Sequence, residues 1–135
     1  MPSKPASIPT LDFILDIQNP RFLTNQPKQE DVIRYLLKYS HVTELAKSIS
    51  EYGSLYPGER IVTYKNAKGK YVVLEGNRRV CACQLFLKPD WIPVEYRSTF
   101  STATPVLKKS IKSIDADVLK NRVDAESFLT SRHIA

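Results

Sequence analysis

Tyr71-Val72-Val73-Leu74-Glu75-Gly76-Asn77-Arg78-Arg79-Val80-Cys81-Ala82-Cys83-Gln84-Leu85-Phe86 is the stretch on which the reading of this chain turns. A β-branched apolar run stops at a Gly-Asn turn, and a helix-forming segment begins at once. Glycine supplies backbone angles that a side chain would forbid. The first amides of a helix lack partners within it and carry the positive end of its macrodipole. Asn77 is placed to cap that helix, and Arg78 and Arg79 add two rigid guanidinium forks that match phosphate oxygens. The same four residues could form an exposed turn with two solvated arginines. Their place between a strand and a helix leaves both readings open, the bland turn and an anion site.

Working outward, Arg60 to Lys65 and Lys70 to Leu74 read as an antiparallel hairpin around Asn66-Ala67-Lys68-Gly69. Upstream, Gln29 to Tyr39 carries acids in its opening turn and an apolar face of Val32, Ile33, Leu36 and Leu37. Leu45, Ala46, Ile49 and Tyr52 repeat the helical spacing after a break, and Gly53 is placed to end that second helix, with Pro57 beyond. Residues 1 to 10, rich in Pro and Ser, read as a loose arm. Leu11 to Asp16 reads as a short strand that closes at Asn19-Pro20-Arg21.

Downstream, the central helix stops before Pro89, and Trp91 to Tyr96 reads as a further strand. A polar connection follows from Ser98 to Pro105. From Val106 the pattern is helical, with Val106, Ile111, Ile114, Val118 and Leu119 as packing residues, and a last helix is expected near Ala125 to Arg132. The fold class expected is a compact α/β domain with a small mixed sheet and packed helices. Its boundaries would be an arm over 1–10, a domain over 11–100 and a helical C-terminal extension over 101–135.

At 135 residues the chain suits one domain with a hydrophobic core, and its 42% hydrophobic and 25% charged residues are ordinary for a folded soluble protein. No apolar run approaches the roughly 18 residues of a membrane span, and the N-terminus lacks the apolar core of a signal peptide, so a cytoplasmic location without membrane partners is expected. The net charge of +6 is uneven. Residues 1–60 hold seven basic and seven acidic side chains, whereas residues 61–135 hold thirteen and seven. A basic second half suits a polyanionic partner. Cys81 and Cys83 lie about 200° apart around a helix and cannot share a metal, and no Cys or His spacing resembles a zinc site. No metal held by protein ligands is expected.

Taken in order, Asn19-Pro20-Arg21, Glu44-Leu45-Ala46-Lys47-Ser48-Ile49 through Gly53, Pro57, the hairpin, Glu75-Gly76-Asn77-Arg78-Arg79 and Ile92-Pro93-Val94 resemble the N-terminal domain of the ParB/sulfiredoxin superfamily. The likeness runs from about Leu11 to Arg97. It implies a nucleoside triphosphate, CTP or ATP with Mg²⁺, lying over the Gly-x-Arg-Arg turn. By that resemblance Gly76, Asn77, Arg78 and Arg79 match the phosphate box, Arg21 is a further phosphate contact, and Gly53, Tyr56 and Pro57 lie near the base. Sulfiredoxins place a catalytic cysteine where this chain has Asn77, so sulfiredoxin activity is rejected. The chain has no room for the DNA-binding domain and further phosphate motif of ParB proteins, and Arg132-His133 resembles the start of a following segment in longer, DNA-associated relatives.

Two classes of function follow. In one, the domain is a switch, NTPase or phosphotransferase, with Glu75 as catalytic residue, or Asp16, orienting metal or attacking group, and a homodimer closing on nucleotide. In the other it is a DNA- or protein-binding module that uses Lys108, Lys109, Lys112, Lys120 and Arg122 against a phosphate backbone.

Overall fold

The computed structural model describes residues 3–16, 28–55, 60–101 and 103–124. Strands β1 (Ser3–Pro9), β2 (Phe13–Leu15), β3 (Ile61–Lys65), β4 (Tyr71–Glu75) and β5 (Ser113–Leu119) form one mixed sheet in the order β1-β5-β3-β4-β2. The β3–β4 hairpin is antiparallel as expected, β3 runs parallel to β5, and β2 runs parallel to β4. The mixed α/β class is therefore the one the sequence indicates.

Helices α1 (Gln29–Tyr39) and α2 (Val42–Tyr52) fall where the apolar spacing places them, and Gly53, at φ +92°, ends α2. Each buries one stripe: Val32, Ile33, Leu36 and Leu37 on α1, and Val42, Ala46 and Ile49 on α2. Helix α3 (Asn77–Leu87) differs, because every residue from Val80 to Phe86 is buried. A helix that is apolar all round belongs inside a molecule. Both cysteines are consequently enclosed, and burial pushes each thiol up to about 12.

Three expectations are corrected. The segment read as a loose arm is β1, an edge strand paired antiparallel with β5. Thr10 N–H donates to Lys112 O, so the even-numbered residues of β1 point their backbone groups inward and Pro5 and Pro9 face the open edge. An edge is where a strand accepts proline, which has no N–H to give. Second, the helical extension is a short α5 (Pro105–Ser110) followed by β5, which lies between β1 and β3, so both flanking segments belong to the sheet of the 11–100 region. The alternation Ile114, Asp115, Ala116, Asp117 has the period of a strand, with Ile114 and Ala116 buried. Third, Trp91 to Tyr96 forms no strand. Pro89 and Pro93 open two 3₁₀ turns, Pro89–Trp91 and Val94–Tyr96, that lead into a one-turn α4 (Arg97–Phe100).

Leu11 also leaves the expected strand for a 3₁₀ turn, Thr10–Asp12, in which the Thr10 hydroxyl donates to Ile111 O. The helix expected near Ala125 to Arg132 lies outside the described residues. No helix among the described residues is long and apolar enough to cross a membrane.

Candidate functional site

The Gly76–Arg79 turn is built from β4 inward. Val62 pairs with Glu75 and Thr63 with Val73, so Leu74 is an extra residue in β4, a bulge directly before the turn. Bulges re-aim the chain and are common beside functional sites. Gly76 then takes φ +100° as the residue preceding α3, and a Cβ there would collide with the Ile61 side chain. Only glycine fits both the left-handed backbone and the contact.

The expected cap is corrected at this point. Gly76, not Asn77, is the N-cap of α3, and it has no side chain to cap with. The Asn77 amide is committed elsewhere: its Oδ1 accepts from Asp16 N–H at 2.9 Å, and its Nδ2 donates to Asp16 O at 3.0 Å and Val73 O at 3.2 Å. On the open edge of β2 the Gln29 amide does the equivalent, accepting from Leu15 N–H and donating to Leu15 O, each at 2.8 Å. Two side-chain amides thus extend the hydrogen bonding of the three-residue β2. Asn77 therefore positions the turn and offers no side-chain donor to a ligand.

The arginines divide. Arg78 is exposed, and its Nη2 donates to His41 O at 3.3 Å. His41 sits at φ +58° immediately before α2, which also has no side-chain cap, and its Nδ1 lies 3.7 Å from Glu44 Oε1. The N-termini of α2 and α3 thus meet at Arg78. Arg79 is half-buried with its Nε enclosed, and its positive charge pulls against the burial that raises the Cys83 thiol.

The acidic candidates differ as well. Glu75 is the last residue of β4 and adjoins Gly76 in sequence. Asp16 is occupied by Arg122, whose Nη2 lies 2.7 Å from its Oδ2, while the Arg122 guanidinium sits 5.3 Å from the Tyr64 ring centre. Burial opposes the Arg122 charge, and hydrogen bonds to Asp16 and Tyr64 more than offset it, raising its pKa. Asp16 and Arg122 are thus paired with each other across 106 positions of sequence.

Gly53 closes the far end of α2, about 18 Å along the helix from His41, and its carbonyl accepts from Ser110 Oγ at 3.2 Å. Arg21, Tyr56 and Pro57 lie outside the described residues, as does Arg132-His133. No group of three or more His, Cys, Asp or Glu side chains able to hold a metal occurs among the described residues. Sequence reasoning missed a cavity of about 580 Å³ at the other end of α3. Its walls come from β2, α1 and the 3₁₀ turns, a juxtaposition without any local motif to betray it. Comparison of the chain with protein-family models, with curated proteins and with solved structures finds no match in any of the three.

Proposed function

We propose that this chain binds a nucleoside triphosphate, CTP or ATP, over the Gly76–Arg79 turn and acts as a switch, NTPase or phosphotransferase module of a ParB-like, DNA-associated protein of bacterial, plasmid or phage-defence type. The observation that carries the reading is an α3 N-terminus that begins at a left-handed glycine without a side chain to cap it and bears the exposed Arg78 beside the start of α2, where the His41 side chain makes no capping hydrogen bond. Backbone amides aligned with two helix dipoles and a guanidinium fork suit phosphate oxygens.

The described residues near the turn fit an anion better than a bare cation. Mg²⁺ would be held by phosphate oxygens and water, as is usual for a cation that keeps its hydration, with Glu75 the nearest carboxylate in sequence. In this reading the protein contributes orientation and charge neutralisation, and the exposed Arg78 guanidinium serves both. The alternative, a nucleic-acid interface on the basic second half, has Arg122 paired with Asp16 and carries the acidic Asp117 of β5, which Arg60 holds at 3.1 Å.

A melting experiment with each of the four ribonucleoside triphosphates and Mg²⁺ tests the reading. At a ligand concentration about 100 times Kd the folded state gains about 2.7 kcal/mol, a rise of several degrees. Arg78→Ala is the informative variant, because Arg78 is exposed whereas Arg79 is partly enclosed and its loss would disturb packing. The expected result is a rise for at least one nucleotide that Arg78→Ala reduces at least fivefold. No rise with any of the four overturns the proposal.

A further inference from the structure

The cavity at the C-terminal end of α3 is independent of the turn and carries its own chemistry. Phe13, Ile14, Ile33, Trp91, Ile92 and Pro93 give it apolar walls, and its volume of about 580 Å³ is that of a small-molecule site. The two amides in its lining are already used: Gln84 Nε2 donates to Thr10 O and Phe13 O, and Gln29 holds Leu15.

Four charged residues remain in the lining. Arg34 is neutralised by Glu95 at 3.3 Å. Arg97 is pinned by the bond from its Nε to Ile92 O at 3.1 Å. Glu30 and Asp90 line the cavity and form no ion pair among the described residues. Two carboxylates therefore stand against one remaining guanidinium, and Asp90 directly precedes Trp91, which is 43% exposed. An indole ring is the best aromatic partner for an organic cation.

We infer that this cavity binds a small amphipathic amine, its apolar body against Ile33, Phe13 and Trp91 and its ammonium group toward Glu30 and Asp90. A carboxylate of the same shape is the poorer match, because it would meet two like charges against the single guanidinium of Arg97. Burial of the apolar body supplies affinity, and the carboxylates supply the choice of sign.

Trp91 is the chain's single tryptophan, so its emission reports on this cavity directly. The probes are cyclohexylammonium, cyclohexanol and cyclohexanecarboxylate, which share one apolar ring, titrated into the full chain to about 10 mM, a range that covers weak small-ligand binding. The expected result is a saturable change with the ammonium, a several-fold weaker one with the alcohol and none with the carboxylate. Glu30→Gln with Asp90→Asn should weaken the ammonium at least fivefold with only a small loss of melting temperature, since both side chains are exposed and Glu30 adds only a first-turn charge to α1. Arg78→Ala should leave binding unchanged, which separates this site from the nucleotide site. Equal responses to all three probes, no response to any, or undiminished binding by the double variant would overturn the inference.

Discussion

Single residues at the turn carry most of the structural specificity. Gly76 and Gly53 both adopt positive φ, but a Cβ at Gly76 would strike Ile61 whereas one at Gly53 meets nothing within 4 Å. Gly53→Ala should therefore cost about 1 kcal/mol of backbone strain, and Gly76→Ala about 1–3 kcal/mol more. Urea denaturation of the two variants measures the difference, and equal losses would contradict the packing described at Ile61. Asn77→Asp should also destabilise, by about 1–3 kcal/mol, because it retains the acceptor for Asp16 N–H and removes both donors. The sequence marks Asn77 as a turn residue, but its partner, the backbone of Asp16, lies 61 positions away. No local pattern reveals such a bond.

Cys81 and Cys83 are legible only in part for the same reason. Their spacing correctly separates the two thiols around α3, yet the helix is surrounded on all sides and neither faces solvent. With both raised to about 12 from the ordinary thiol value, a soluble disulfide reagent should leave the folded protein unmodified at pH 8 and modify two thiols after denaturation. The unfolded chain releases these protons at lower pH than the folded one. Stability attributable to the thiols is therefore full below about pH 9 and declines as pH rises toward 12. Equilibrium unfolding at increasing pH would disagree with this environment if it found stability rising over that interval.

At the scale of elements, what the sequence discloses depends on how local the cause is. Helices α1 and α2 follow from apolar stripes and a terminal glycine, all within a few residues. Strand β1 hides behind Pro5 and Pro9, because composition marks prolines as breakers unless the strand is known to be an edge. Strand β5 hides behind the helical run of α5, and only the alternation from Ile114 onward separates the two. The prolines of β1 leave two gaps in its outward donors, which discourages pairing with another chain. Replacing Pro5 with valine restores one donor. The expected outcome is concentration-dependent self-association by sedimentation, absent from the parent at the same concentration. A variant that stays as monodisperse as the parent would argue against β1 as an open edge.

For the molecule as a whole, the sheet is assembled from both ends of the chain, so the segments that look peripheral in sequence complete the core. The turn and the cavity lie at opposite ends of α3, the buried helix that ties the sheet to the other helices. Gly76, Arg78 and Arg79 were legible because turn chemistry and charge are local, whereas the cavity was not, since Gln29, Gln84 and Trp91 meet only in three dimensions.

The most direct measurement is a map of backbone amide shifts by ¹⁵N NMR during titration with a Mg²⁺ nucleoside triphosphate. The expected result is a saturable perturbation largest at Asn77, Arg78 and Arg79, extending to Val42 and Thr43 at the start of α2, and lost in Arg78→Ala. Shifts centred anywhere else, or none with any of the four nucleotides, would contradict the placement of an anion at the head of α3.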